Sequence, residues 1–334
     1  MKPTHHNSIA IIGGGSWATA IVKILSENSS DIRWWIRRKE SVDFIRKYGH
    51  NPAYLTDVRI DPGKAFLSSD LQAILQDASI IILAVPSAFL KETIDPLPPD
   101  ALTGKLIFSA IKGIIPDDLM IVGDFMNQKK NVPLENIGVI TGPCHAEEVA
   151  LEKLSYLTIA CQDTANAHQL AGMMSCRYIR TIVSDDIYGT EYAAVLKNII
   201  AIANGICHAL GYGDNFQAVL IANAIQEIKR FVDAVHPITR DINDSAYLGD
   251  LLVTCYSQFS RNRTFGNMIG KGYSVTSAQL EMNMIAEGYY SVKCIAELNK
   301  KLKVDLPICN AVYNILYDKK SPVAEMKVLS ENLK

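Results

Sequence analysis

One local succession near the N-terminus constrains the fold more than any other feature. Ile9 to Ile12 is a short apolar run after a polar tail, and it reads as a buried parallel strand. Gly13-Gly14-Gly15-Ser16-Trp17-Ala18 follows, and then Ile21, Ile24 and Leu25 at helical spacing. Strand, G-x-G-x-x-A turn and helix in that order form a dinucleotide-binding fingerprint. Gly13 permits the tight turn, Gly15 lets the backbone approach a pyrophosphate, and Ala18 lets helix and strand pack closely. The helix start offers free N–H groups and the positive end of its dipole to phosphate oxygens.

The second strand, Ile32 to Ile36, ends in Arg37-Arg38-Lys39. A site for NAD(H) more often places an acid here to hold the ribose 2′-hydroxyl, whereas a basic side chain suits a 2′-phosphate. Guanidinium forks match phosphate geometry, so NADP(H) is the preferred cofactor and NAD(H) the second choice. The alternative is a solvated basic start to the next helix, partly balanced by Glu40.

Further along, strands and helices alternate. Ser79 to Val85, Leu106 to Ser109 and Ile137 to Ile140 are near-continuous apolar runs, each followed by small or polar residues. Those runs read as central strands of a doubly wound sheet, with ligands expected outside their C-terminal ends. Leu157 to Ala160 and Tyr178 to Val183 are expected to extend the sheet. Near Ser184-Asp185-Asp186 the periodicity turns helical, with long helices over 186–209 and 215–235 separated by a glycine turn. The division expected is residues 1–184 as a dinucleotide-binding Rossmann-type α/β domain and residues 185–334 as an all-helical substrate domain.

Composition narrows the function classes. Lys and Arg number 33 against 35 Asp and Glu, so no charge excess favours nucleic acid or an anionic membrane. No apolar stretch is expected to approach the ~20 residues that span a bilayer. The polar start, residues 1–8, runs straight into the first strand and leaves no room for a signal peptide. Seven scattered cysteines without C-x-x-C suit reduced thiols in a cytoplasm. Neither the histidines nor the carboxylates show metal-ligand spacing.

The second half carries residues suited to a small phosphorylated alcohol. Lys197 can give or take the proton that accompanies hydride movement, provided its pKa falls from the usual ~10.4 toward neutrality. Burial lowers it, and a nearby cation such as Lys112 lowers it further. Asp250 suits orienting the lysine or accepting a substrate hydroxyl, and as a close anion it raises the lysine's pKa. Arg261 and Asn262 suit a phosphate dianion, with a solvated basic loop as the alternative. Thr254 suits either helix packing or a substrate hydrogen bond. Cys255 reads as helix packing, and the adjacency of Cys144 and His145 is no evidence of a thiol nucleophile.

Taken in order and spacing, these segments resemble the NAD(P)-dependent glycerol-3-phosphate dehydrogenases of the soluble bacterial type. The resemblance runs from Ile9 to about Pro322. It is carried by Gly13 to Ala20, Asn51-Pro-Ala-Tyr54-Leu55, Ala84 to Ser87, Ile111-Lys112-Gly113, Thr141 to Val149, Gly189 to Ala203, Gly249 to Gly266, Glu287-Gly288-Tyr289 and Leu306-Pro307-Ile308. It implies hydride exchange between sn-glycerol 3-phosphate and dihydroxyacetone phosphate, supplying phospholipid synthesis, in a cytoplasmic homodimer. It also implies site residues. Lys197 is the catalytic lysine, and Lys112 a second active-site lysine that touches substrate and cofactor. Gly142, Cys144, Asp250, Ser260, Arg261 and Asn262 fall at substrate positions, and Arg261 reaches the cofactor too. Ser16, Trp17, Arg37, Ala146 and Glu287 fall at cofactor positions. The chain departs from the family pattern at Cys144-His145, usually Ser or Thr followed by Phe, at Asn223, usually Arg, and at Ile111. The rivals are another two-domain dehydrogenase acting on a hydroxyacid or ketopantoate, and a catalytically silent cofactor-binding regulator.

Overall fold

The computed structural model describes residues 8–29, 31–282 and 286–334; the polar start read above lies, except for Ser8, outside them. The chain folds into two compact units, residues 1–111 with 122–187 and residues 112–121 with 188–334.

The first unit is built on one eight-stranded sheet. Its strands are β1 (Ile9–Ile12), β2 (Ile32–Trp35), β3 (Ala65–Ser68), β4 (Ile80–Leu83), β5 (Leu106–Ser109), β6 (Ile137–Thr141), β7 (Ser155–Cys161) and β8 (Ile179–Ser184). Their spatial order is β3-β2-β1-β4-β5-β6-β7-β8. The first six are parallel and follow the doubly wound nucleotide-binding order. β7 runs antiparallel to β6, and β8 is parallel to β7. Every residue of β1 and β4 is buried, as a central strand covered on both faces requires. The helices are α1 (Ser16–Leu25), α2 (Lys39–Tyr48), α3 (Leu71–Leu75), α4 (Ser87–Ile94), α5 (Val122–Lys130), α6 (Ala146–Ala150) and α7 (Thr164–Met174). Strand order reverses between β1 and β4, which opens the crevice where open α/β sheets bind ligands.

The second unit is helical. It contains α8 (Ile187–Ala209), α9 (Asp214–Val235), α10 (Asp250–Tyr256), α11 (Arg261–Gly270), α12 (Val275–Glu281), α13 (Glu287–Leu302), α14 (Pro307–Leu316) and α15 (Pro322–Asn332). A π-helical turn, Ser245–Gly249, leads into α10. α8 is apolar on nearly every face because the other helices pack around it. Gly205 and Gly266 let α11 approach closely: a Cβ at Gly266 would stand 2.1 Å from the Ile202 carbonyl oxygen. The expectation that no apolar stretch reaches bilayer length is corrected here. Ile187–Ala209 is 23 residues long with mean hydropathy 1.2, enough to span by length and composition. Its apolar stretch is 89% buried, so packing against neighbouring helices accounts for its composition.

Candidate functional site

The glycine turn sits at the reversal point of the sheet. Gly13 has φ +143°, and a Cβ there would lie 2.4 Å from the Ala84 carbonyl oxygen just beyond β4. Only glycine fits both the angle and the space. Ser16, Trp17 and Ala18 form the first turn of α1, and Thr19 N–H reaches back to the Gly15 carbonyl at 3.0 Å. A Cβ at Gly15 would meet nothing within 4 Å, so the turn borders open space rather than packed core. The indole Nε1 of Trp17 is buried with no acceptor among the described residues. Open space, an unspent donor and the first-turn N–H groups of α1 together fit a bound anion at this turn.

Arg37, Arg38 and Lys39 follow β2 and are exposed. Lys39 pairs with Asp43 at 2.8 Å, one helical turn along. Among the described residues neither Arg37 nor Arg38 has a carboxylate partner, and the Arg37 guanidinium lies 5.9 Å from the centre of the Phe89 ring. Gly142, at φ +108°, Cys144 and Ala146 come after β6 in the same unit, with Cys144 and Ala146 buried. His145 precedes the first residue of α6.

In the second unit three ionisable side chains from distant positions converge. Lys197 lies on α8 and is buried, and its Nζ donates to Asp250 Oδ1 and, at 3.0 Å, to Thr254 Oγ1. Lys112 Nζ donates to Asp250 Oδ2 at 3.1 Å. Thr254 Oγ1 donates to the Asp250 carbonyl at 2.6 Å, which fixes the lone pair it offers the lysine. Asn198, the neighbour of Lys197, donates to the Lys112 carbonyl at 2.7 Å and so anchors the backbone of the second lysine.

Fully charged, this cluster would carry two cations and one anion out of water, a net charge of +1. Shedding one proton makes it neutral. Burial pushes Lys197 down to about 7, against the raising effect of Asp250 and with a further lowering from Lys112. Burial works to raise the Asp250 carboxyl, but the two lysine charges outweigh it and hold the group below its usual range. Lys197 is the drier of the two lysines, 5% exposed against 19% for Lys112, in keeping with burial as the main cause of its lowering. A buried lysine poised near neutrality can act as acid or base.

α11 presents the remaining residues. Ser260 caps it, its hydroxyl accepting from the Arg263 N–H at 3.3 Å. Arg261 and Asn262 stand in its first turn, Asn262 buried. Asn262 Oδ1 accepts from the Gly288 N–H at 2.9 Å, next to Glu287 at the start of α13. That contact orients the side chain and leaves both amide N–H donors of Asn262 to offer a ligand. Burial pushes the Cys255 thiol up to about 12, outweighing the lowering effect of the Lys197 and Arg263 charges. The Asn223 side-chain amide donates to the Lys334 carbonyl at 2.8 Å and accepts from the Lys334 N–H at 3.2 Å. No group of three potential metal ligands occurs among the described residues.

Sequence reasoning did not identify Asn198 as the anchor of Lys112, nor the three side chains that hold the glycine turn. Asn198 stood out only as the neighbour of Lys197, Asn51 and Thr19 only as members of the Asn51 to Leu55 and Gly13 to Ala20 stretches, and Trp34 only as an apolar strand residue.

Comparison with known proteins gives the same division of labour. Residues 8–167 match the model of the NAD-dependent glycerol-3-phosphate dehydrogenase N-terminus, and residues 186–327 that of its C-terminus. A glycerol-3-phosphate dehydrogenase [NAD(P)+] of Salinibacter ruber is 34% identical over 97% of this chain and 95% of its own length. One from an Exiguobacterium species is 36% identical over 96% of this chain and 94% of its own. A crystal structure of glycerol-3-phosphate dehydrogenase from Coxiella burnetii superposes with a TM-score of 0.91 at 29% identity, covering 98% of this chain and all of the other. With both family models matched in order over nearly its whole length, the chain belongs to the NAD-dependent glycerol-3-phosphate dehydrogenase family.

Proposed function

We propose that the protein interconverts sn-glycerol 3-phosphate and dihydroxyacetone phosphate with NADP(H), accepting NAD(H) less well. The observation that carries this reading is the Lys112–Asp250–Lys197 cluster, which holds a neutralisable lysine in a dry, fixed position. The nicotinamide cofactor, when bound, supplies or accepts the hydride. Gly13, Gly15, Ser16, Trp17 and Ala18 hold its pyrophosphate, and Arg37 its 2′-phosphate. Lys112, Ala146, Arg261 and Glu287 are the further cofactor contacts.

Lys197 moves the proton. As an ammonium it donates to the forming alkoxide oxygen, and as an amine it takes the hydroxyl proton in the reverse direction. Asp250 and Thr254 fix the direction of its Nζ, so one donor site remains for substrate. Lys112 keeps the Lys197 proton loosely held and offers a charge to the substrate oxygens. Ser260, Arg261 and Asn262 supply donors for the substrate phosphate, with Gly142 and Cys144 as further substrate contacts. Seven free cysteines, six of them buried, suit a reducing cytoplasm. A homodimer is the assembly the family resemblance implies, and light scattering reads it directly.

The test is oxidation of NADPH by dihydroxyacetone phosphate, run beside NADH and beside ketopantoate, with the Arg37→Ala variant in parallel. NADPH should be preferred, and the phosphate-free substrate should not turn over. In Arg37→Ala, the KM for NADPH should rise by roughly tenfold or more, the worth of a charged hydrogen bond, while NADH is nearly unaffected. Equal effects on both cofactors would remove Arg37 from the 2′-phosphate site. Turnover of ketopantoate without a phosphate would overturn the substrate assignment.

A further inference from the structure

The sequence stretch Asn51 to Leu55 has no place in the chemistry above, yet its first residue reaches back to the nucleotide turn. Asn51 is buried; its Nδ2 donates to the Gly14 carbonyl at 3.1 Å and to Thr19 Oγ1 at 2.9 Å. Its Oδ1 accepts from the Ala53 and Tyr54 N–H groups at 3.0 and 3.2 Å, which fixes the side chain in one orientation. Thr19 Oγ1 in turn donates to the Gly15 carbonyl at 3.0 Å. On the other side Trp34, fully buried in β2, donates its indole N–H to the Gly13 carbonyl at 2.6 Å. Three consecutive carbonyls are therefore each held by a different buried side chain.

The consequence follows from peptide geometry. A trans peptide unit is planar, so its C=O and N–H point in opposite directions. Fixing the carbonyls of Gly13, Gly14 and Gly15 turns the N–H groups of Gly14, Gly15 and Ser16 the other way. Three successive glycines are the most freely rotating backbone a chain can offer; the Gly15 carbonyl is also held by the Thr19 N–H, but without a clamp the Gly13 and Gly14 peptide planes can flip. A flipped plane would present a carbonyl oxygen to the phosphate and repel it.

We propose that Trp34, Asn51 and Thr19 form a clamp that pre-orients the glycine turn for the cofactor pyrophosphate, making them positioning residues that set cofactor affinity rather than turnover. The proposal rests on the reading that this turn binds NADP(H). Binding to a pre-ordered turn avoids the cost of ordering it at the moment of association.

The test uses Trp34→Phe, which keeps an aromatic ring in the core and removes the N–H, and Thr19→Val, which keeps the shape and removes the hydroxyl. NADPH affinity is read by fluorescence titration without substrate, and turnover at saturating NADPH is read separately. Each variant should weaken NADPH by about five- to tenfold, the worth of one hydrogen bond's ordering, with kcat within about twofold of the unaltered protein. Adenosine 2′-phosphate, which lacks the pyrophosphate, should compete equally well in all forms. Thr19→Val keeps the question open to refutation should Trp34→Phe fail to fold. NADPH affinity unchanged in the folded variants overturns the clamp, as does an equal loss for adenosine 2′-phosphate, which would signal general damage to the α/β unit. Failure of the unaltered protein to bind NADPH would be a different result, and would sink the functional reading itself.

Discussion

The two units solve opposite problems of site construction. In the α/β unit the proposed pyrophosphate contacts belong largely to the backbone of six consecutive residues, Gly13 to Ala18, and side chains of Trp34, Asn51 and Thr19 donate to its carbonyls. In the helical unit the clustered groups are side chains from positions 112, 197, 250 and 254, three of them carried on α8 and α10 and the fourth, Lys112, on a loop held by Asn198, and the packing of that unit brings them within hydrogen-bond reach. A backbone site needs small residues and a few neutral donors to orient its carbonyls, so it carries no charge to balance. A side-chain site made of three charges must balance itself electrostatically, which is why Lys112, Lys197 and Asp250 occur together. The first arrangement suits holding a nucleotide, and the second suits moving a proton.

The sharpest way to break this contrast is Lys197→Met, which keeps bulk and removes the proton donor. Turnover should fall by ~10²–10⁴-fold, the range for loss of general acid–base catalysis, while NADPH affinity, measured by titration, changes little. Near-normal turnover would end the assignment of Lys197, and lost NADPH binding would move the lysine into the nucleotide site. The unaltered protein gives the companion measurement. With Lys197 lowered to about 7, the ammonium form is depleted as pH rises through that value. Ketone reduction should therefore decline above neutrality, whereas alcohol oxidation should rise. A flat profile between pH 6 and 8.5 would deny Lys197 its role.

A smaller effect is expected at the substrate phosphate. Arg261→Ala removes one charged fork from the first turn of α11 and should raise the KM for dihydroxyacetone phosphate by roughly ten- to a hundredfold, equivalent to a charged hydrogen bond of ~1.5–3 kcal/mol. An unchanged kcat/KM would take Arg261 out of phosphate recognition and leave it a solvated helix-start residue.

The smallest effect separates architecture from chemistry within the helical unit. Glu227, fully buried on α9, accepts from the N–H groups of Ile308 and Cys309, both at 2.9 Å, and so caps α14 behind Pro307. Glu227→Gln leaves a single acceptor oxygen for two donors. Stability to urea should fall by about 1–3 kcal/mol, the cost of one buried group left unsatisfied, with kcat preserved at temperatures where the protein stays folded. A loss of turnover without a loss of stability would place Glu227 in the chemistry instead.

Much of this protein was legible before any coordinates. The apolar runs at Ile9, Ser79 and Leu106 marked central strands because a strand covered on both faces must be apolar throughout. Gly13 and Gly15 marked the tight turn between β1 and α1 because its geometry depends on neighbours in sequence. The change of periodicity near Ser184 marked the passage to helices. Less legible was the apolar character of Ile187–Ala209, which by itself does not distinguish a membrane span from a core helix. Burial by the surrounding helices makes that distinction, and burial is a property of the packed unit.

The sequence by itself determined the alternation of elements, the nucleotide turn and the family, since each of these is written in residues close along the chain or in a fixed order of short motifs. Only the tertiary structure decided that β7 reverses direction against β6, that Lys112 belongs with the helical unit, and that Asp250 lies between two lysines. It also decided that Trp34 and Asn51 take hold of the Gly13 and Gly14 carbonyls. The physical reason is the same in each case. A backbone turn or an amphipathic period is a local preference, whereas a buried charge or a buried N–H takes its partner from whatever the packing brings near, and sequence spacing does not encode that distance.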